Sequence, residues 1–173
     1  MKLGLGLSLV NERVRGGPLV VNPNFDDLSG LTLISSEWYG GVPFGWNSQK
    51  TDDNTYSVKS TNGVFYANLG QLSRTDPFET FYQDLGTLQS NATATLNLKA
   101  CALGQGQGEL GIGFYNSTSG ALIANGGAVI TASESAPQTV SLSGSGVAGT
   151  PIRLAFWYVG TPVGIRDISV VLT

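Results

Sequence analysis

A chain of 173 residues is long enough for one domain with a good core; its 12 % charged residues are about half the usual ~25 %, while its 24 glycines are in excess. Nine basic and twelve acidic residues give a net charge of −3, which offers no positive field to a nucleic acid or an anionic membrane surface. With no histidine and one cysteine, Cys101, the chain lacks the parts for Ser-His-Asp or Cys-His triads, for most catalytic zinc sites and for an internal disulfide.

The chain opens "MKLGLGLSLV". On a strand, Leu3, Leu5, Leu7 and Leu9 share one face, and Gly4, Gly6 and Ser8 leave the other nearly bare. The glycine interruptions and the "NERVRGG" that follows differ from a cleaved signal peptide, and the stretch is far shorter than the ~20 apolar residues of a bilayer span. Residues 1–17 read as an extended arm, and the glycine pair within Arg15–Pro18 separates it from a domain over residues 18–173. An exposed leucine-faced strand is a liability for a monomer but gains affinity by adding to a neighbouring sheet, so the arm predicts assembly, the alternative being that it is the first strand of its own domain.

Beyond the arm no helical period is sustained; apolar residues alternate in short runs between Gly, Asn, Ser and Pro, the pattern of an all-β sandwich. "SSEWYGGVPFGWNSQKTDDNTY" has no period and reads as a long loop holding at most a short strand, with Trp46 and Phe44 plugging one end of the sandwich. "ATATLNLKACAL" places Leu96, Leu98, Ala100 and Ala102 opposite Thr95, Asn97, Lys99 and Cys101. "GELGIGFYN" sets Leu110, Ile112 and Phe114 against Glu109, Gly111, Gly113 and Tyr115, and "NSTSG" turns it back into "ALIANGG". After a reversal at Gly144–Pro151, "PIRLAFWYVG" alternates Ile152, Leu154, Phe156 and Tyr158 with Arg153, Ala155, Trp157 and Val159. The last strand, "RDISVVLT", offers Ile168, Val170 and Leu172 to the core and turns Asp167, Ser169 and Val171 away.

Sugar binding needs aromatic faces open to solvent with amide or carboxylate partners nearby. Trp38, Tyr39, Tyr115 and Trp157 are the candidates for a glycan or protein contact, with Asn47, Gln49, Asn68 or Gln83 as polar partners. The bare positions Gly111 and Gly113 either admit a close approach or accommodate sheet twist. The adjacent carboxylates Asp26-Asp27 and Asp52-Asp53 point apart on an extended chain, so neither pair is a ready acid/base couple, and a non-enzymatic role is expected.

Taken in order, "VNPNFDD", "FGWNS", "GVFYANLG", "FYQDLGTL", "ATATLNL" and "IRDISVVL" resemble the galactose-binding-like jelly rolls of many carbohydrate-binding modules. Those domains begin Asn-x-x-Phe-Glu/Asp, carry a Gly-Trp and end in a strand entered through an Asp. The resemblance covers residues 20–173 and implies two packed antiparallel sheets, with a structural Ca²⁺ held by Asp26 or Asp27 together with Asp167; the alternative for these residues is turn capping. The "LGLGLSL" start resembles bacteriophage virion proteins. Together these readings lead to an expectation of a non-enzymatic capsid decoration or cement protein, a homo-oligomer (trimer first) bound to a major capsid or other virion protein. The alternative is a carbohydrate-binding module or a tail-fibre receptor binder.

Overall fold

The computed structural model describes residues 19–48, 56–72 and 81–173, so the arm with Leu3, Leu5, Leu7 and Leu9 lies outside the described residues, as does Gln49. Twelve strands are described: β1 (Thr32–Ser35), β2 (Trp38–Gly40), β3 (Asn47–Ser48), β4 (Tyr56–Thr61), β5 (Val64–Asn68), β6 (Phe81–Thr87), β7 (Ala92–Ala102), β8 (Gly108–Asn116), β9 (Leu122–Ile130), β10 (Gln138–Gly146), β11 (Pro151–Gly160) and β12 (Val163–Leu172). One helical turn, α1 (Leu69–Leu72), follows β5. The strands form a seven-stranded sheet, β1-β2-β4-β5-β12-β7-β10, and a five-stranded sheet, β3-β6-β11-β8-β9, with every pairing antiparallel. The fold is the all-β sandwich that the alternating runs predict.

The core forms where the two inner faces meet. Val58, Ala67, Leu96, Leu98, Ile165 and Val170 come from the seven-stranded sheet, and Phe81, Leu110, Ile112, Phe114, Leu154 and Phe156 from the other; all are buried. Each large side chain removed from water contributes about 1.5–3 kcal/mol, and the strict alternation ensures that a one-residue slip would expose the whole set. The outer side of the β7–β10 pair carries hydroxyls instead: Thr93 meets Ser145 at 2.9 Å, Thr95 meets Ser143 at 3.0 Å, and Ser141 donates to Asn97 at 2.6 Å. Opposed small polar residues of this kind bond across strands, which gives a neutral surface without charge.

The long loop predicted around residues 35–56 contains both β2 and β3. Its Gly-Trp pair has a specific role. Gly45 has φ +79°, and a Cβ there would come within 2.6 Å of Val21 Cγ1. Trp46 then inserts into the end of the sandwich, stacked on Phe81 at 4.7 Å and tilted against Phe25 and Phe156. Phe44, expected to share in this plug, is 51 % exposed instead. The side-chain amide of Gln83, itself buried, accepts from Val21 N at 2.8 Å and donates to the carbonyls of Val21 and Gly45, at 3.1 and 2.6 Å. Gln83 therefore ties the first described segment to the Gly-Trp turn, and Asn68, also buried, accepts from Gly70 N at 3.1 Å; both amides serve the fold.

Candidate functional site

The outward positions of β6, β11 and β8 lie side by side on the five-stranded sheet. Asp84 faces Arg153, which faces Tyr115; Tyr82 faces Ala155, which faces Gly113; and Trp157 faces Gly111. Asn47 of β3 extends this surface beyond Tyr82, and Asn125 of β9 extends it beyond Gly113. Alternation makes this a single face, and register then sets the neighbours.

Gly111 and Gly113 owe their burial to side chains of their own sheet. A Cβ on Gly111 would sit 1.9 Å from Cε2 and 2.1 Å from Nε1 of Trp157, so the indole lies across the bare backbone. A Cβ on Gly113 would sit 2.3 Å from Cε2 of Tyr115. Rings that cover strand glycines are held against the sheet, which restores the apolar cover that glycine lacks. The two rings differ in what they leave open. Trp157 is half-buried, whereas Tyr115 is only 6 % exposed. Tyr115 thus lies on the predicted side of the sheet but is no open contact surface.

Beside them Arg153 is buried and Tyr82 half-buried, with the guanidinium carbon 3.8 Å from the ring centroid. The same guanidinium grips Asp84 with both arms, Nε to Oδ1 at 2.8 Å and Nη2 to Oδ2 at 3.2 Å. Stacking and bidentate pairing together fix Arg153 as lysine could not be fixed. Asp84 keeps half of its side-chain surface in solvent, so the patch presents a neutralised charge pair edged by the exposed Asn47, Asn125 and Glu109.

The remaining candidates fall elsewhere. Trp38 and Tyr39 are on β2, in the other sheet, so the structure does not join them to Trp157. Lys59 Nζ stands 5.6 Å from the Trp38 ring centroid, and Tyr39 packs against Phe65 at 6.1 Å. Among the described residues no group of three or more His, Cys, Asp or Glu side chains converges, and Asp27 and Asp167, two of the residues that the resemblance assigns to a Ca²⁺, have partners close by in the chain. The Ser29 hydroxyl, and after it Ser29 N, which donates to Asp27 Oδ1 at 3.0 Å in an Asx turn, lower the Asp27 carboxyl below its usual value, and Asp26 is exposed. Asp167 Oδ2 pairs with Arg166 Nη1 at 2.9 Å. Its backbone, at φ +50°, forms a bulge between Arg166 and Ser169 that directs Ile168 N at the Pro23 carbonyl. Asp167 thus lies inside the last strand, which begins at Val163 and not at the Asp, and its bulge turns β12 and binds it to the N-terminal loop.

In architecture the chain is a jelly-roll β-sandwich of the kind found in carbohydrate-binding modules. Among solved structures it is similar to a CBM4 module, with TM-score 0.58 and 15 % identity over 89 % of this chain and 99 % of that one. It is also similar to the CBM22-1 xylan-binding domain of Xyn10C from Paenibacillus barcinonensis, with TM-score 0.50 and 14 % identity over 76 % and 88 % of the two chains. A third, a candidate sugar-binding protein from Bacteroides thetaiotaomicron, gives TM-score 0.50 and 12 % identity over 89 % and 99 %. No protein-family model matches the chain, and no curated protein matches it by sequence.

Proposed function

We propose that the protein is a non-catalytic carbohydrate-binding module that holds a neutral glycan on the outer face of its five-stranded sheet. The observation that carries this reading is the Trp157 indole, laid across Gly111 and only partly buried. A flat ring held against a sheet stacks on the apolar face of a pyranose, while Asn47, Asn125 and Asp84 supply amide and carboxylate partners for its hydroxyls. The Arg153–Asp84 pair leaves no net charge at the centre, which suits an uncharged ligand. The fold shared with carbohydrate-binding modules supports the same reading.

The test is binding to soluble xylan, mixed-linkage β-glucan, cello-oligosaccharides and galactan by calorimetry and affinity electrophoresis. At least one should bind, and Trp157→Ala should weaken it about tenfold or more while leaving the far-UV circular dichroism unchanged. No binding across the panel would remove this function. The capsid-decoration expectation rests on an arm outside the described residues, and none of the similar structures named above is a capsid protein. Light scattering of the chain with and without residues 1–17 tests the assembly reading directly.

A further inference from the structure

The seven-stranded sheet carries a second, separate surface. Across it the register aligns Trp38 of β2 with Lys59 of β4, Lys59 with Tyr66 of β5, Arg166 of β12 with Lys99 of β7, and Lys99 with Thr139 of β10. Tyr66 and Arg166 meet one step along from the Ala67–Ile165 pair, with the guanidinium carbon 5.3 Å from the ring centroid. The connection between β9 and β10 crosses above this row. It is pinned at its start by Ala102 N donating to the Ala132 carbonyl. Farther along, the Glu134 carboxylate accepts from Lys59 Nζ and Thr61 Oγ1, both at 2.6 Å, and the Glu134 carbonyl accepts from Tyr66 OH at 2.9 Å. Beneath and beside the bridge lies a groove of about 740 Å³, within the size range of small-ligand clefts.

The groove's chemistry narrows what it takes. Its charged lining is balanced, Lys59 and Arg166 against Glu37 and Glu134, and the rest is mainly hydroxyls, amides and small apolar groups. An anion would face two carboxylates and a cation two basic groups. Arg166 Nε is the one buried side-chain polar atom among the described residues without a hydrogen-bond partner, and it sits on this lining. A donor shut off from water favours a ligand oxygen, which would reach it once the guanidinium turns against its Asp167 pair and the Tyr66 ring. We infer that the groove is a second binding site, for a short, neutral, hydroxyl-rich ligand such as a mono- or disaccharide unit, on the opposite side of the sandwich from Trp157.

The test is amide chemical-shift mapping of the full chain with D-glucose, D-galactose, D-mannose, D-xylose and xylohexaose. Saturable shifts at Tyr66, Glu134, Ser135 and Arg166 are expected. They should persist in Trp157→Ala, which separates this site from the five-stranded face, and disappear in Ser135→Trp, which fills the mouth. Gln105→Trp, from another side of the groove, is the second blocking variant should Ser135→Trp not fold. Absence of shifts at these residues with every sugar would overturn the inference, whatever happens at Trp157. Saturation by oligogalacturonate alone would overturn the neutral class.

Discussion

Trp157 and Gly111 face each other across β11 and β8, and the indole fills the space that any side chain on Gly111 would need. The pairing makes the ring's orientation a property of the neighbouring strand as well as of the tryptophan. The surface proposed to hold a glycan thus depends on a residue that has no side chain.

Gly111→Ala should lift the indole, because the new methyl would sit 1.9 Å from Cε2. Overpacking of this kind costs about 1–3 kcal/mol, and here the half-buried ring can yield toward solvent. Near-UV circular dichroism and tryptophan fluorescence should change, the melting temperature should fall by a few degrees, and glycan affinity should drop nearly as far as in Trp157→Ala. Unchanged affinity would show that the flat pose is immaterial.

Asp84→Asn removes the carboxylate that Arg153 grips with both arms. Because Asp84 is half in solvent, screening limits the loss to about 1 kcal/mol, read by denaturant midpoint. A larger effect is expected on binding, since the variant leaves a positive charge at the centre of the face.

Gln83→Leu keeps the volume but strands the N–H of Val21 and the carbonyls of Val21 and Gly45. At about 1–3 kcal/mol for each group that stays dry, a loss of about 3 kcal/mol is expected in chemical denaturation. Near-UV signals from Trp46 should weaken as the turn loosens.

Cys101 is fully buried, and burial pushes its thiol from 9.0 up to about 12. The unfolded chain releases this proton first as pH rises, so the stabilising contribution is complete below pH 9.0 and lost as pH climbs toward about 12. The limiting slope for one group is about 1.4 kcal/mol per pH unit. Comparing Cys101→Ala with the parent chain by urea denaturation isolates it, and the variant should show the shallower decline. Iodoacetamide should react with the native thiol only through unfolding.

The alternation that buries Leu110, Ile112 and Phe114, or Leu154 and Phe156, was legible because a period of two survives in one strand read alone. So was the Trp46 plug, since a glycine before a tryptophan suits a tight turn against a core. β10 was not, because "QTVSLSGSG" presents mostly small residues and its meaning lies in hydroxyls on β7, about 40–50 positions away in the chain. The candidate faces divided for the same reason. Alternation turned Trp157 outward, but only register could put Trp38 on the opposite sheet or lay a ring on Gly111. The groove under Glu134 depends on contacts spanning 68 to 75 residues, which no local pattern encodes.

The small residues along β9 and β10 have a consequence for growth of the sheets. Each strand is the last of its sheet, yet the two crowd together: a Cβ on Gly144 would be 2.6 Å from Ala124 Cβ, and Gln138 Nε2 donates to the Val129 carbonyl. This flank of the sandwich is close to seamed, in the manner of a barrel. Among the described residues the opposite margins of the two sheets are β1 and β3, so a strand arriving from another chain to lengthen a sheet would meet one of these, and any fibre or ring built that way would inherit its direction from them.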